Sequence, residues 1–178
     1  MNLIPIEDKV YLLNYSRIII ENNLLNNIPL SDNFIPESCK KTYGGAFVTI
    51  YIDNKLRGCI GHFTEKDPLI HIIKETSVSV LHDLRFKSVS IEELDNLKIE
   101  ISILSPLFEI SPEFPEFEIG KHGLFVIDTI TGRSGTYLPH VATDQGWNKE
   151  QFLWSLINEK AQISVGKIKL YTFETDKF

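Results

Sequence analysis

The spacing of apolar residues along the chain predicts three helices. Residues 6–26 repeat apolar side chains every three to four positions, as expected for a helix with one buried face. Residues 67–83 and 148–162 show the same spacing. Asp67 and Asn148 open these two segments and are the expected caps, because their side chains can accept hydrogen bonds from free N–H groups of a first turn.

Between these segments, alternating apolar and polar residues predict strands that pair as hairpins. The run GAFVTIYIDNKLRGCIG, residues 45–61, indicates two strands joined by a polar turn. Residues 123–139 indicate a second hairpin, and single strands are predicted at 97–103 and 167–174. Hairpins with helices between and after them indicate an α+β domain with a largely antiparallel β-sheet flanked by helices, since a parallel sheet needs alternating strands and helices.

The composition favours a cytoplasmic protein of one domain. Its 178 residues suffice for a single hydrophobic core. The formal net charge of -6 argues against a nucleic-acid partner, because phosphate contacts need clustered lysine and arginine. No apolar run approaches the ~18 residues of a membrane helix, and the first residues lack the blocks of a secretory signal. Cys39 and Cys59 form no disulfide framework, so we expect a reducing compartment.

The segment KLRGCIGHF, residues 55–63, carries the most specific chemistry. On a regular strand alternate residues share a face, so Arg57 and Cys59 are expected side by side. A guanidinium close to a thiol favours the thiolate and lowers the cysteine pKa. Gly61 would leave open space beside the sulfur, and Gly58 would let another backbone or a ligand approach the opposite face. These features predict a small polar pocket around a reactive cysteine.

A structural role for the same residues stays open. A free cysteine often fills a small apolar gap in a core. Arg57 could pair with a carboxylate such as Glu100 if their strands are neighbours, and would then serve only the sheet.

Several blocks of the chain, taken in order, resemble one family. They are GAFVTIYIDNKLRGCIG, DLRF, KHGLFV, GTYLP and GWNKEQFL. Together they resemble the AMMECR domain family, which in prokaryotes includes protein A of the AmmeMemoRadiSam system. The resemblance implies one domain over residues 1–178, with two unequal lobes and the cysteine motif facing a cleft between them. It also implies association with a Memo-type, dioxygenase-like protein and a radical S-adenosylmethionine (radical SAM) protein, and no settled reaction.

The family motifs, matched to this sequence, give a set of predicted site residues. The predicted catalytic residues are Cys59, Arg57 and His122. His122 would be the base, because a nucleophilic cysteine needs one within hydrogen-bond reach, and His62 is the alternative. The predicted binding residues are Gly58, Gly61, Asp83, Arg85 and Thr136.

Asp83 ends the predicted second helix, where an acidic side chain opposes the helix dipole. Its expected role is therefore to pair with Arg85 or to cap the following turn. We expect no metal, because Cys59 and His62 supply only half of a zinc-like pattern. We also expect no cofactor, because the chain has no phosphate-binding glycine loop.

Two kinds of function remain open from the sequence. In the first, the protein is a small enzyme or enzyme subunit that uses Cys59 as a nucleophile on a small molecule, with Arg57 binding the developing anion. In the second, it is a non-catalytic binding or scaffold protein for the Memo-type and radical SAM proteins, which needs no activated cysteine.

Overall fold

The computed structural model describes residues 2–25, 34–113, 115–164 and 166–178. These residues belong to two compact units. The larger unit comprises Asn2–Leu104 and Asp176–Phe178, and the smaller unit lies within Ser105–Thr175. The chain therefore leaves the larger unit once and returns to it at its end.

The helices and strands follow the chain in an irregular order. They are α1 (Ile6–Leu25), β1 (Gly45–Ile52), β2 (Lys55–Phe63), α2 (Leu69–Ser79), β3 (Leu97–Leu104), β4 (Phe108–Ile110), β5 (Gly123–Asp128), β6 (Ser134–Tyr137), α3 (His140–Gln145), α4 (Lys149–Ser155), β7 (Ile168–Phe173) and β8 (Thr175–Lys177). Short 3₁₀ turns span Glu37–Lys40, Val80–His82 and Ile91–Asn96, and a π-helical turn, Leu156–Lys160, extends α4.

In the described parts of the chain, the strands form two four-stranded sheets. The sheet of the larger unit has the order β2-β1-β3-β8, and the sheet of the smaller unit has the order β4-β7-β5-β6. β1 pairs antiparallel with β2 and β3, and β7 pairs antiparallel with β4 and β5. The predicted α+β class with antiparallel pairing is confirmed, although the strands form two sheets where one was expected. β2 is an edge strand, so no strand of the described residues lies along one side of its backbone.

The three predicted helices are confirmed, with differences at their ends and at one cap. α1 is described as far as Leu25, and residue 26, its predicted last residue, lies outside the described residues. α2 begins after Pro68, whose side chain makes no capping bond, so the prediction that Asp67 caps this helix is wrong. The Asp67 carboxylate instead accepts a hydrogen bond from the Thr64 hydroxyl at 2.9 Å. Asn148 caps α4 as predicted.

Three short elements have no counterpart in the sequence prediction. α3, β4 and β8 each span six residues or fewer, which is too short for a hydrophobic period to appear. Within the residues that the structure describes, no helix combines the length and the apolar character needed to cross a bilayer.

The core of the larger unit lies between its sheet and the helices α1 and α2. Val48, Ile50 and Ile101 project from the sheet, and Leu12 and Ile72 project from the helices, all of them essentially fully buried. Each such side chain contributes about 1.5–3 kcal/mol on burial, so this layer stabilises the unit strongly. The smaller unit has a separate core around its own sheet and α4.

A buried ion pair joins the first helix of the larger unit to its last strand. The Lys9 ammonium binds the Asp176 carboxylate, and the two side chains are only 8% and 3% exposed. The N–H of Leu3 donates to the same carboxylate at 2.7 Å, and the Asn2 side chain accepts from Lys9 at 3.1 Å. Because an unpaired buried charge is costly, each partner requires the other.

Candidate functional site

Cys59 lies on the edge strand β2, just after an irregularity in its pairing with β1. Tyr51 pairs with Leu56 and Ile50 pairs with Gly58, so Arg57 is an extra residue on β2. This arrangement is a β-bulge, which interrupts the alternation of side chains along a strand. The expectation that Arg57 lies beside Cys59 assumed an unbroken strand.

The Arg57 guanidinium binds the segment that follows α2. Its Nη1 donates to the carbonyl of Lys87, and its Nη2 donates to the carbonyl of Ser88 at 3.1 Å. The same Nη2 lies 3.4 Å from the Glu93 carboxylate. Arg57 therefore pairs with a carboxylate, as the structural alternative expected, but its partner is Glu93 of the 3₁₀ turn. The expected pairing with Glu100 is wrong, because β1 lies between β2 and β3.

Asp83 and Arg85 bind the backbone of Cys59 from the open edge of β2. The Asp83 carboxylate accepts the N–H of Cys59 at 3.0 Å, and Arg85 Nη2 donates to the carbonyl of Cys59 at 2.9 Å. The two side chains also bind each other at 2.6 Å, which confirms the predicted ion pair. Together they supply the acceptor and the donor that a further strand would have supplied at this position.

This arrangement keeps Asp83 ionised. The hydrogen bonds from the Arg85 side chain, with those from the backbone N–H groups of Cys59 and Arg85, lower the pKa of Asp83 from 3.8 to about 2. Burial acts in the opposite direction and is outweighed. At neutral pH, Asp83 is therefore a buried carboxylate with its charge compensated.

The turn that carries this ion pair exposes one apolar side chain. The N–H of Phe86 donates to the carbonyl of Asp83 at 2.9 Å, which closes a β-turn over residues 83–86. Leu84 occupies a corner of this turn and is fully exposed. Its two neighbours in sequence, Asp83 and Arg85, both bind Cys59, so the position of Leu84 is fixed.

The Cys59 sulfur faces polar residues of the same sheet. Thr49 lies directly opposite Cys59 on β1, and its hydroxyl donates to the sulfur at 3.2 Å. Glu100 lies opposite Thr49 on β3, so the three residues form one row across the sheet. The bulge at Arg57 produces this register, because an unbroken hairpin would place Val48 opposite Cys59.

The thiol of Cys59 is neutral at physiological pH. Burial raises its pKa above the ordinary value and outweighs the Thr49 hydrogen bond and the Arg85 charge, which act in the opposite direction. The carboxylate of Asp83 raises this pKa further. The prediction that Arg57 lowers the pKa of Cys59 is therefore wrong, because the bulge breaks the alternation that it assumed and the guanidinium binds residues 87–93.

Both glycines of the motif lie where the chain packs tightly. A Cβ on Gly58 would lie 2.6 Å from the carbonyl oxygen of Val80, which confirms the predicted approach of another backbone. A Cβ on Gly61 would overlap the Phe47 side chain and the Ala46 carbonyl. The prediction of open space beside Gly61 is wrong, because β1 fills it.

In the smaller unit, His122 lines a cavity of about 340 Å³ together with Glu116, Phe173 and Glu174. Its Nδ1 accepts the N–H of Glu118 at 2.9 Å, so Nε2 carries the proton in the neutral ring. Nε2 lies 3.7 Å from the Glu174 carboxylate. The cavity thus presents a histidine with a fixed tautomer beside an acidic group.

The other predicted site residues have local roles or remain untested. Thr136 donates to the carbonyl of Leu124 at 2.9 Å between β6 and β5. His62, the alternative base, is exposed on β2. The pairing of His122 with Cys59 joins residues of different units and stays a prediction. Over the described ranges, no group of three or more His, Cys, Asp or Glu residues is placed to hold a metal ion.

A comparison of the sequence with known protein families finds one family that it matches. The AMMECR1 family profile matches residues 13–178. The chain belongs to the AMMECR1 family. The resemblance based on the LRGCIG, DLRF and later blocks is thereby confirmed. Since AMMECR1 names a family and not a reaction, the match identifies the chain without assigning an activity.

Individual AMMECR1-family proteins agree with this assignment. Protein MJ0810 of Methanocaldococcus jannaschii is 31% identical over 191 aligned positions, which cover 100% of this chain and 92% of that protein. Protein PH0010 of Pyrococcus horikoshii is 41% identical over 119 aligned positions, which cover 61% of this chain and 57% of that protein. The crystal structure of PH0010 aligns with a TM-score of 0.87 at 30% identity, covering 99% of this chain and 93% of its own.

Proposed function

We propose that this AMMECR1-family protein is a non-catalytic binding protein of the cytoplasm, acting with a Memo-type, dioxygenase-like protein and a radical SAM protein. The supporting observation concerns the hydrogen bonds of the LRGCIG motif and the protonation of its thiol. Its arginine and the backbone of its cysteine are bonded within the chain, and its thiol is neutral. Nucleophilic catalysis requires a thiolate, whereas a binding role requires none.

The motif also has a geometry suited to presenting a contact surface. Asp83 and Arg85 hold the turn at residues 83–86 against β2, and Leu84 projects from that turn into solvent. A side chain whose backbone is already fixed loses less conformational entropy on binding than one on a loose loop. Leu84 is therefore the residue through which the proposal is best tested.

Capture of the two partner proteins from the same organism tests this function. Full-length protein is immobilised as the wild type and as the variants Cys59→Ser and Leu84→Ser. The matched control is Ile130→Ser, which removes another exposed apolar side chain, located in the smaller unit. We expect Cys59→Ser and Ile130→Ser to capture partners like the wild type, and Leu84→Ser to lose about tenfold in affinity.

Complementation of a deletion strain separates the two hypotheses. Cys59→Ser should restore the wild-type phenotype, because the serine keeps the size of the side chain and the backbone bonds to Asp83 and Arg85. A folded Cys59→Ser variant that captures partners normally but fails to complement would show that the thiol takes part in chemistry, and would overturn the proposal.

A further inference from the structure

A second cavity of the smaller unit has a lining of a different kind. It measures about 480 Å³, and among the described residues it shares no lining with the His122 cavity. Its lining consists of Trp147, Glu150, Gln151, Trp154, Ser155 and Glu159. Apart from Trp147, these residues belong to α4 or its π-helical extension, and each lies three to five positions from another of them. We name it the tryptophan cavity.

We propose that the tryptophan cavity binds a small organic ammonium ion. Indole faces attract cations more strongly than other aromatic side chains, and Trp147 and Trp154 both line the cavity. Glu150 and Glu159 add negative charge, and the described lining residues include no lysine or arginine. Aromatic walls with carboxylates and no competing cation select a positively charged organic group over an anion.

The same attraction is visible elsewhere in the smaller unit. The Lys149 ammonium lies 5.2 Å from the ring centroid of Phe117, and the Lys160 ammonium lies 6.0 Å from that of Tyr137. These two rings already have a lysine as their cation. Trp147 and Trp154 instead line a cavity whose volume lies within the range of small-molecule sites.

Two partly buried hydrogen bonds connect the acidic side of the cavity to Tyr137. The Ser155 hydroxyl, only 3% exposed with its residue, donates to the Glu159 carboxylate at 2.5 Å. It also lies 3.1 Å from the Tyr137 hydroxyl, and the Tyr137 ring packs 5.9 Å from that of Trp147. Glu159 belongs to the π-helical turn, a distortion that occurs often at functional sites. Carboxylate and indole are thus connected through one network.

The two tryptophans of the cavity are the only ones in the chain, so intrinsic tryptophan emission reports on this site alone. The full-length protein is titrated with choline and with its neutral carbon analogue, in which carbon replaces the quaternary nitrogen. We expect a saturable emission change with choline and binding of the carbon analogue about tenfold weaker, because only choline carries the charge. Equal binding of choline and its carbon analogue would overturn the proposal.

Variants assign the binding to the cavity. Glu159→Gln keeps an oxygen to accept from Ser155 but removes the charge, and should weaken choline binding about fivefold by calorimetry. The control Glu65→Gln, an exposed residue of the larger unit, should bind like the wild type. A Glu159→Gln variant with wild-type affinity would place the ion elsewhere and contradict the proposal.

The ammonium group could belong to a free metabolite or to a methylated lysine of a partner protein. Titration with a short peptide containing trimethyllysine distinguishes these sources. Tighter binding of the peptide than of choline would indicate a partner's lysine, and tighter binding of choline would indicate a free ligand. Both results support an ammonium site, whereas failure of both probes contradicts it.

Discussion

The Asp83 carboxylate and the backbone N–H of Cys59 form a hydrogen bond of 3.0 Å across a separation of 24 residues. This bond joins the two most specific sequence blocks, LRGCIG and DLRF. Arg85, of the second block, binds the carbonyl of the same cysteine. The second block therefore bonds the backbone of the first at the open edge of β2. Asp83 supplies the acceptor for the N–H of Cys59, and Arg85 supplies the donor for its carbonyl.

The pH dependence of the unfolding free energy should show how much the ionised Asp83 carboxylate stabilises the fold. Its pKa is lower in the folded state than in the unfolded chain, so its stabilising effect is fully present above pH 3.8 and is lost as the pH falls towards about 2. Over this interval we expect the wild type to lose about 1–2 kcal/mol more unfolding free energy than Asp83→Asn, a figure reduced for the exposure of Arg85. Urea unfolding at a series of acidic pH values measures the difference.

The control for this experiment is Asp144→Asn, which alters an exposed aspartate on α3. It should follow the wild-type pH profile. If Asp83→Asn also follows that profile, the carboxylate does not stabilise the edge of β2 through its charge.

Replacement of Arg57 by lysine should loosen residues 87–93. A lysine cannot reproduce the planar fork that reaches the carbonyls of Lys87 and Ser88 and the Glu93 carboxylate. We expect a loss of about 1–2 kcal/mol in unfolding free energy and faster amide hydrogen exchange within residues 87–93.

For comparison, Arg133→Lys changes an exposed arginine that donates to the carbonyl of Gln162 at 2.7 Å. It should cost less than about 0.5 kcal/mol. Unchanged exchange in residues 87–93 of the Arg57→Lys variant would show that Arg57 does not hold this segment.

The buried pair of Lys9 and Asp176 should be intolerant of single changes. Lys9→Met leaves the Asp176 carboxylate buried without its cation, and we expect a loss of about 3–5 kcal/mol by denaturant unfolding. Adding Asp176→Asn should recover part of that loss, because it removes the uncompensated charge. A Lys9→Met variant as stable as the wild type would indicate that the pair is not buried in solution.

Regular features of the fold were predictable from the sequence, and the irregular ones were not. Long periodic segments located α1, α2 and β3, and sequence proximity indicated the pairing of Asp83 with Arg85. No pattern in the sequence predicts the bulge at Arg57. The bulge nevertheless changes the direction of the guanidinium and places Thr49 opposite Cys59.

Part of the lining of the tryptophan cavity could be predicted from the sequence. Glu150 and Trp154 lie four residues apart, which is the spacing of one helix face, and Trp147 directly precedes Asn148, the predicted cap of that helix. The helical period is usually sought in apolar residues, so a face that combines indoles with carboxylates is easily missed. Its chemistry became apparent only with the cavity.

The reactivity of Cys59 across pH tests the central claim most directly. Native protein is alkylated with iodoacetamide, and mass spectrometry of the resulting peptides separates Cys59 from Cys39, which is buried. Because burial raises the pKa of Cys59, the account predicts that its alkylation follows an apparent pKa above that of a cysteine in a short peptide, with a slower rate at neutral pH. Rapid alkylation with an apparent pKa below that of the peptide would reveal a thiolate and contradict the account.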